Sequence, residues 1–138
     1  MVFNVVRVVR VEPGVEPDGN VFDQWLHIEF GGSTAPVFDR MMIVPEYASG
    51  ELHEVKLNLI ATQIESSPSR ASGVSGNRYF GRVVSVMDRG NLFDHILDIN
   101  GLRVHLLEYS MYPVGEYLAV QGRLDLEDIK TPLQNVWT

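Results

Sequence analysis

The segment Asp94 to Leu107 (DHILDINGLRVHLL) constrains this chain more than any other. Asn100-Gly101 at its centre is the strongest short signal for a two-residue hairpin turn, because a type I′ turn needs φ > 0 at both central residues. The flanking apolar residues are odd-numbered before the turn (Leu97, Ile99) and even-numbered after it (Leu102, Val104, Leu106). A two-residue turn pairs Ile99 with Leu102 and Leu97 with Val104, so the switch of parity keeps one apolar face continuous. The same register sets Asp98 opposite Arg103 on the other face, with His105 beside them. A lone hairpin is marginal in water, so the rest of the chain has to cover its apolar face.

The remaining pattern is predominantly of period two. Val2 to Val11 is a valine-rich strand in which strict alternation sends Arg7 and Arg10 to opposite faces. Glu12 to Asn20, with its prolines and glycines, reads as a loop. Trp25 to Phe30 alternates, with Leu26, Ile28 and Phe30 inward and Trp25, His27 and Glu29 outward. Gly31 to Pro36 interrupts it. Met41 to Val44 is a short strand candidate closed by Pro45. Leu52 to Ile64 is a long strand with Val55, Leu57, Leu59 and Ala61 inward. Ser66 to Asn77 (SSPSRASGVSGN) reads as a flexible loop. Tyr79 to Met87 is a strand. Glu116 to Leu126 alternates, with Leu118, Val120, Leu124 and Leu126 inward, and Gly122 marks a bulge or tight bend. No window carries a 3.6-residue apolar period, so the chain reads as all-β with at most one short helix near Tyr109 to Val114.

The two halves echo one another. Gly19-Asn20-Val21-Phe22-Asp23-Gln24-Trp25-Leu26-His27-Ile28 parallels Gly90-Asn91-Leu92-Phe93-Asp94-His95-Ile96-Leu97-Asp98-Ile99. Each follows a valine strand (Arg7 to Val11; Arg82 to Val86), and each is followed by Gly-Glu and an alternating strand. The echo admits two explanations: an internal duplication of residues 1–66 and 78–138 joined by loop 66–77, or the chance likeness of short β-motifs. On either, residues 1–138 are expected to form a single β-barrel domain.

Three stretches carry a family resemblance. They are Asn77-Arg78-Tyr79-Phe80-Gly81-Arg82-Val83, the Asp98-Ile99-Asn100-Gly101 hairpin, and Gly115-Glu116-Tyr117-Leu118-Ala119-Val120-Gln121-Gly122-Arg123-Leu124. Together, over residues 77–126, they resemble strands one to four of an OB fold of the single-stranded DNA-binding protein and replication protein A group. The resemblance implies a small Greek-key barrel, here elaborated by the β-rich N-terminal half. A fifth strand is not obvious after Leu126; the sources are Leu52 to Ile64 or the tail around Leu133 to Trp137.

At 138 residues with no cysteine, the chain can build a core without disulfides or thiolate metal sites. No signal peptide or membrane-length apolar run is seen, and a cytoplasmic protein is expected. There is no nucleophile elbow and no Gly-Lys-Ser/Thr phosphate loop. Asp94, His95, Asp98 and His105 are adjacent in sequence, but alternation divides them between two faces and denies them a metal. Neither enzyme nor cofactor is expected. A net charge of −7 opposes strong nucleic-acid binding unless the cations gather on one face. OB-type sites pair a basic groove with aromatic platforms, and the residues fitting that chemistry are Tyr79, Phe80, Arg82, Arg103, His105, Tyr109, Tyr117 and Arg123. Two functions stay open: a non-enzymatic module for single-stranded nucleic acid, and a structural or protein-interaction barrel. Self-association is an expectation of the second, through Trp25, Trp137 or an edge strand.

Overall fold

The computed structural model describes residues 2–15, 19, 21–44 and 49–130, so Glu16, Asp18, Pro45 and the tail around Leu133 to Trp137 lie outside the described residues. Among those residues every regular element is a strand, so Tyr109 to Val114 holds no helix. Among the described residues no helix is long and apolar enough to cross a membrane. The strands are β1 (Asn4–Val15), β2 (Val21–Phe30), β3 (Ser33–Asp39), β4 (Leu52–Ser66), β5 (Gly73–Ser75), β6 (Arg78–Asp88), β7 (Phe93–Ile99), β8 (Leu102–Glu108) and β9 (Tyr117–Lys130).

The hairpin has the register its parity requires: Ile99 pairs with Leu102, Asp98 with Arg103 and Leu97 with Val104. Asn100 and Gly101 both adopt positive φ, at 52° and 92°. The first half repeats the device. Gly31 and Gly32, at φ 50° and 78°, turn β2 into β3 rather than ending the sheet. Pro36 therefore lies inside a strand, contrary to the sequence expectation. Its missing N–H is tolerated because β9 joins β3 only at Val37 and Phe38, leaving the edge at Pro36 open.

Further expectations change. Arg7 and Arg10 both face solvent, because a bulge at Val9, between the Val8–Ile28 and Arg10–His27 pairs, resets the alternation while Val8 and Val11 stay buried. The parallel valine stretch of β6 carries the same irregularity at Val84, between the Val83–Leu97 and Ser85–Ile96 pairs. Met41 to Val44 is not a strand. The Asp39 carboxylate accepts the amides of Ile43 (3.1 Å) and Val44 (3.0 Å), and Gln24 donates to both Asp39 (2.7 Å) and the Val44 carbonyl (2.6 Å), which folds the segment back. The stretch 66–77 is also more structured than a linker: Gly73–Ser75 pairs with β6 at Arg78 to Phe80.

The nine strands form one sheet that closes on itself twice. One circuit runs β1-β2-β3-β9-β4 and back to β1; the other runs β6-β7-β8-β4-β9 and back to β6. Both use the long β4–β9 ribbon. In each, the third strand joins a long strand of the other half in parallel (β3 with β9, β8 with β4), and the first strand joins the long strand of its own half antiparallel. The pattern pivots on one cross-strand pair, Asn58–Asp125. Phe38 neighbours Asp125 on one side, and His105 neighbours Asn58 on the other. Leu52 to Ile64 thus supplies the strand that the second half lacks. The buried apolar residues of both circuits merge into one cluster that includes Leu26, Val37, Leu57, Leu97, Val104 and Leu124.

Gly81 and Gly122 allow the circuits to close. A Cβ at Gly81 would sit 2.5 Å from the Asp98 carbonyl oxygen, and one at Gly122 would sit 2.1 Å from that of Ile60. Gly122 lies beside the expected bulge, where Ala61 pairs with Gly122 and Gln63 with Gln121.

Candidate nucleic-acid interface

The sequence-selected residues separate by strand parity. On β6 the inward residues are Tyr79, Gly81 and Val83, and the outward ones are Arg78, Phe80 and Arg82. Tyr79, proposed from sequence as a stacking platform, is instead a core residue at 1% exposure. Burial pushes its phenol above the ordinary value, partly offset by a backbone hydrogen bond at Leu124. It has no ring face for a ligand.

Phe80 and Arg82 do share a surface, and Arg78 joins them. The Arg78 guanidinium lies 5.3 Å from the Phe80 ring centroid, in the range of a cation–π contact. Arg82 pairs with Tyr117 on β9 and with Asp98 on β7, and Asp98 pairs with Arg103 on β8. Tyr117, Arg82, Asp98 and Arg103 therefore form one transverse row over four strands. Phe80 and Arg78 continue it along β6.

The charges in this row are not equivalent. Arg103 donates Nε to Asp98 at 3.3 Å, which neutralises much of its charge. Its backbone is clamped by Asn4, which donates Nδ2 to the Arg103 carbonyl and accepts the Arg103 amide, both at 2.7 Å. Other described cations are also paired: Arg10 with Glu12, Lys56 with Glu127, Arg89 with Asp94, Arg123 with Asp125 and Lys130 with Glu54. Among the described residues, Arg7, Arg40, Arg70, Arg78 and Arg82 have no carboxylate at ion-pair distance; of these, Arg78 and Arg82 share one strand face with Phe80.

The remaining sequence candidates lie elsewhere. Arg123 sits over Phe38 at 4.5 Å and makes a bidentate contact to Asp125 at 2.6 and 3.0 Å. That hydrogen bond raises its already high pKa. Phe38 in turn meets Trp25 at 5.0 Å, so the outer face of the first circuit carries its own aromatic cluster. Tyr109 stands in the β8–β9 loop, 81% exposed and away from the β6 stripe.

His105 is on the outer face, as parity required, yet it is buried, which corrects its reading as an open surface residue. Its Nδ1 meets the Asp94 carboxylate at 2.9 Å, and Arg89 reaches the other Asp94 oxygen at 3.0 Å. Burial opposes ionisation of Asp94, but the hydrogen bonds and charges of His105 and Arg89 outweigh it and hold the carboxyl below its ordinary value. His95 points the other way. It is fully buried, with Nδ1 2.9 Å from the Leu106 carbonyl, and its Nε2 accepts the Tyr112 amide at 2.9 Å. The second contact fixes the proton on Nδ1 and pins the loop after β8. Gln24 stands at the matching position of the first half and pins the loop after β3.

Sequence reasoning passed over Arg78, Gln63 and Gln121. Arg78 was legible, since it stands two residues before Phe80 in an alternating strand. Gln63 was not, because the β4–β9 bulge that carries it to Gln121 depends on long-range pairing. No protein-family model matches the chain, and no curated protein matches it.

Proposed function

We propose that the chain is a non-enzymatic binding module of the OB type that holds single-stranded nucleic acid on the outer face of the second circuit. The observation that carries this reading is the Arg78-Phe80-Arg82 stripe. In a chain of net charge −7, two guanidiniums with no carboxylate partner among the described residues flank an aromatic ring on one strand face, with Tyr117 alongside. Stacking on aromatic rings and neutralisation of phosphates are the two terms that drive sequence-tolerant single-strand binding.

Connectivity supports the OB part of the proposal. Each circuit is a three-strand meander closed by a parallel partner for its third strand and an antiparallel partner for its first. On this reading the chain is a duplicated OB unit whose halves exchange their long strands. β4 serves as fourth strand of one barrel and fifth of the other, and β9 does the reverse.

Titration of fluorescent oligonucleotides across a salt series tests the function. A phosphate contact by Arg82 gives a slope of log K against log salt of about −0.7 on single strands. Absence of binding at low salt overturns the proposal. It would favour the other reading, a protein-interaction barrel, for which the specific observation is exposed apolar side chains on two matching loops: Met41, Met42 and Ile43 after β3, and Tyr109, Met111 and Val114 after β8.

A further inference from the structure

Beside the β6 stripe, the β4–β9 ribbon leaves a polar cleft of about 370 Å³ lined by Gln63, Glu65, Arg78, Ala119 and Gln121. Its construction follows from register. Gln63 pairs with Gln121 and Gln121 with Arg78 in one transverse row; Glu65 pairs with Ala119 and Ala119 with Phe80 in the next. The small Ala119 side chain makes the floor. The walls stand on β4 and β6, two strand spacings or about 9–10 Å apart, a gap that suits one planar base.

The wall chemistry is asymmetric. On the β6 side, Arg78 presents N–H donors and is braced against the Phe80 ring. On the β4 side, Glu65 presents a carboxylate, oriented by a 2.7 Å hydrogen bond from Gln63 Nε2 to its Oε1. A carboxylate has about four lone-pair sites, so Glu65 still accepts from a ligand. Glu65 and Arg78 do not neutralise one another, since no ion pair joins them among the described residues.

We infer that this cleft reads a single guanine in the bound strand, with Arg78 donating to O6 and N7 and Glu65 accepting from N1–H and N2–H. The inference rests on the single-strand binding reading and adds base selection to it. Guanine is the base whose acceptors O6 and N7 match an arginine fork. It is also the base with two adjacent N–H groups that one carboxylate accepts together. Adenine puts its N6 amino group where Arg78 needs an acceptor. Thymine has a single ring N–H for Glu65.

The test is fluorescence anisotropy at low salt on the full chain, using labelled dT oligomers of about 10 nucleotides that carry one central dG, dA or dC. The dG oligomer is expected to bind about tenfold tighter than the dA one, within the range of a bidentate base contact. In Glu65→Gln that ratio collapses toward one, because an amide donates where guanine also donates. Glu65 is exposed, so the variant folds, and an unchanged thermal melt verifies it. Binding of all oligomers without a dG preference, or a preference that survives Glu65→Gln, overturns the inference and leaves the binding reading standing. Binding of none overturns the reading itself and the inference with it.

Discussion

Gly122 stands where a side chain cannot. A Cβ would meet the Ile60 carbonyl oxygen at 2.1 Å, and that oxygen belongs to the strand partner, which cannot move without opening the ribbon. Gly122→Ala is therefore expected to destabilise the protein by about 2–3 kcal/mol, the scale of overpacking a closed core, as read by urea denaturation. Asp94 acts through charge. Its carboxyl is held below the ordinary value in the folded state, so it contributes stability above the unfolded carboxyl range near pH 4. That contribution is lost as pH falls through the folded value. Asp94→Asn is expected to cost about 2 kcal/mol at neutral pH, for the weakened charged hydrogen bonds to His105 and Arg89. It should also flatten the acid limb of the stability profile. An unchanged acid limb would show that Asp94 is not the group responsible.

At the scale of elements, Asn4 does the work of a short strand. Its side-chain amide replaces two ladder hydrogen bonds to Arg103, at the place where β1 comes alongside β8. Asn4→Ala should leave those two backbone groups unpaired and raise amide exchange at Arg103, at a cost of about 2 kcal/mol. The hairpin turns meet at the same end, where Asn100 Nδ2 donates to the Gly31 carbonyl at 3.2 Å. Much of this level was legible in the sequence, because side-chain parity and turn chemistry are local. Ile99–Leu102 and Asp98–Arg103 follow from Asn100-Gly101 alone. Other features were hidden because they answer to partners distant in sequence. Pro36 sits in a strand only because β9 leaves its edge open, and Arg10 faces out only because a bulge against β2 flips the alternation. Tyr79 shows the converse error. Aromatic identity suggested a platform, while parity with Val83 already placed it inside.

At the scale of the molecule, the exchange of long strands ties the halves together. Neither circuit closes without a strand from the other half, and their buried residues form one cluster. Denaturant unfolding followed by fluorescence and by circular dichroism should therefore give one coincident transition, and two separated transitions would contradict the shared ribbon. β5, the terminal strand of the sheet, is only three residues long, and Pro36 interrupts the open edge of β3, so these two edges offer little to a second copy. Among the described residues, Asp98, which stands opposite Arg82, is bound by Arg103; six of the eleven Lys and Arg side chains pair with carboxylates, and Arg78 and Arg82 do not. The central claim is that these two arginines and Phe80 hold a single strand, and the most direct measurement is the salt dependence of oligonucleotide affinity in the protein and in Arg82→Ala. Binding at low salt is expected with a slope of about −0.7 that falls toward zero in the variant. An unchanged slope in Arg82→Ala, or no binding at low salt, would contradict it.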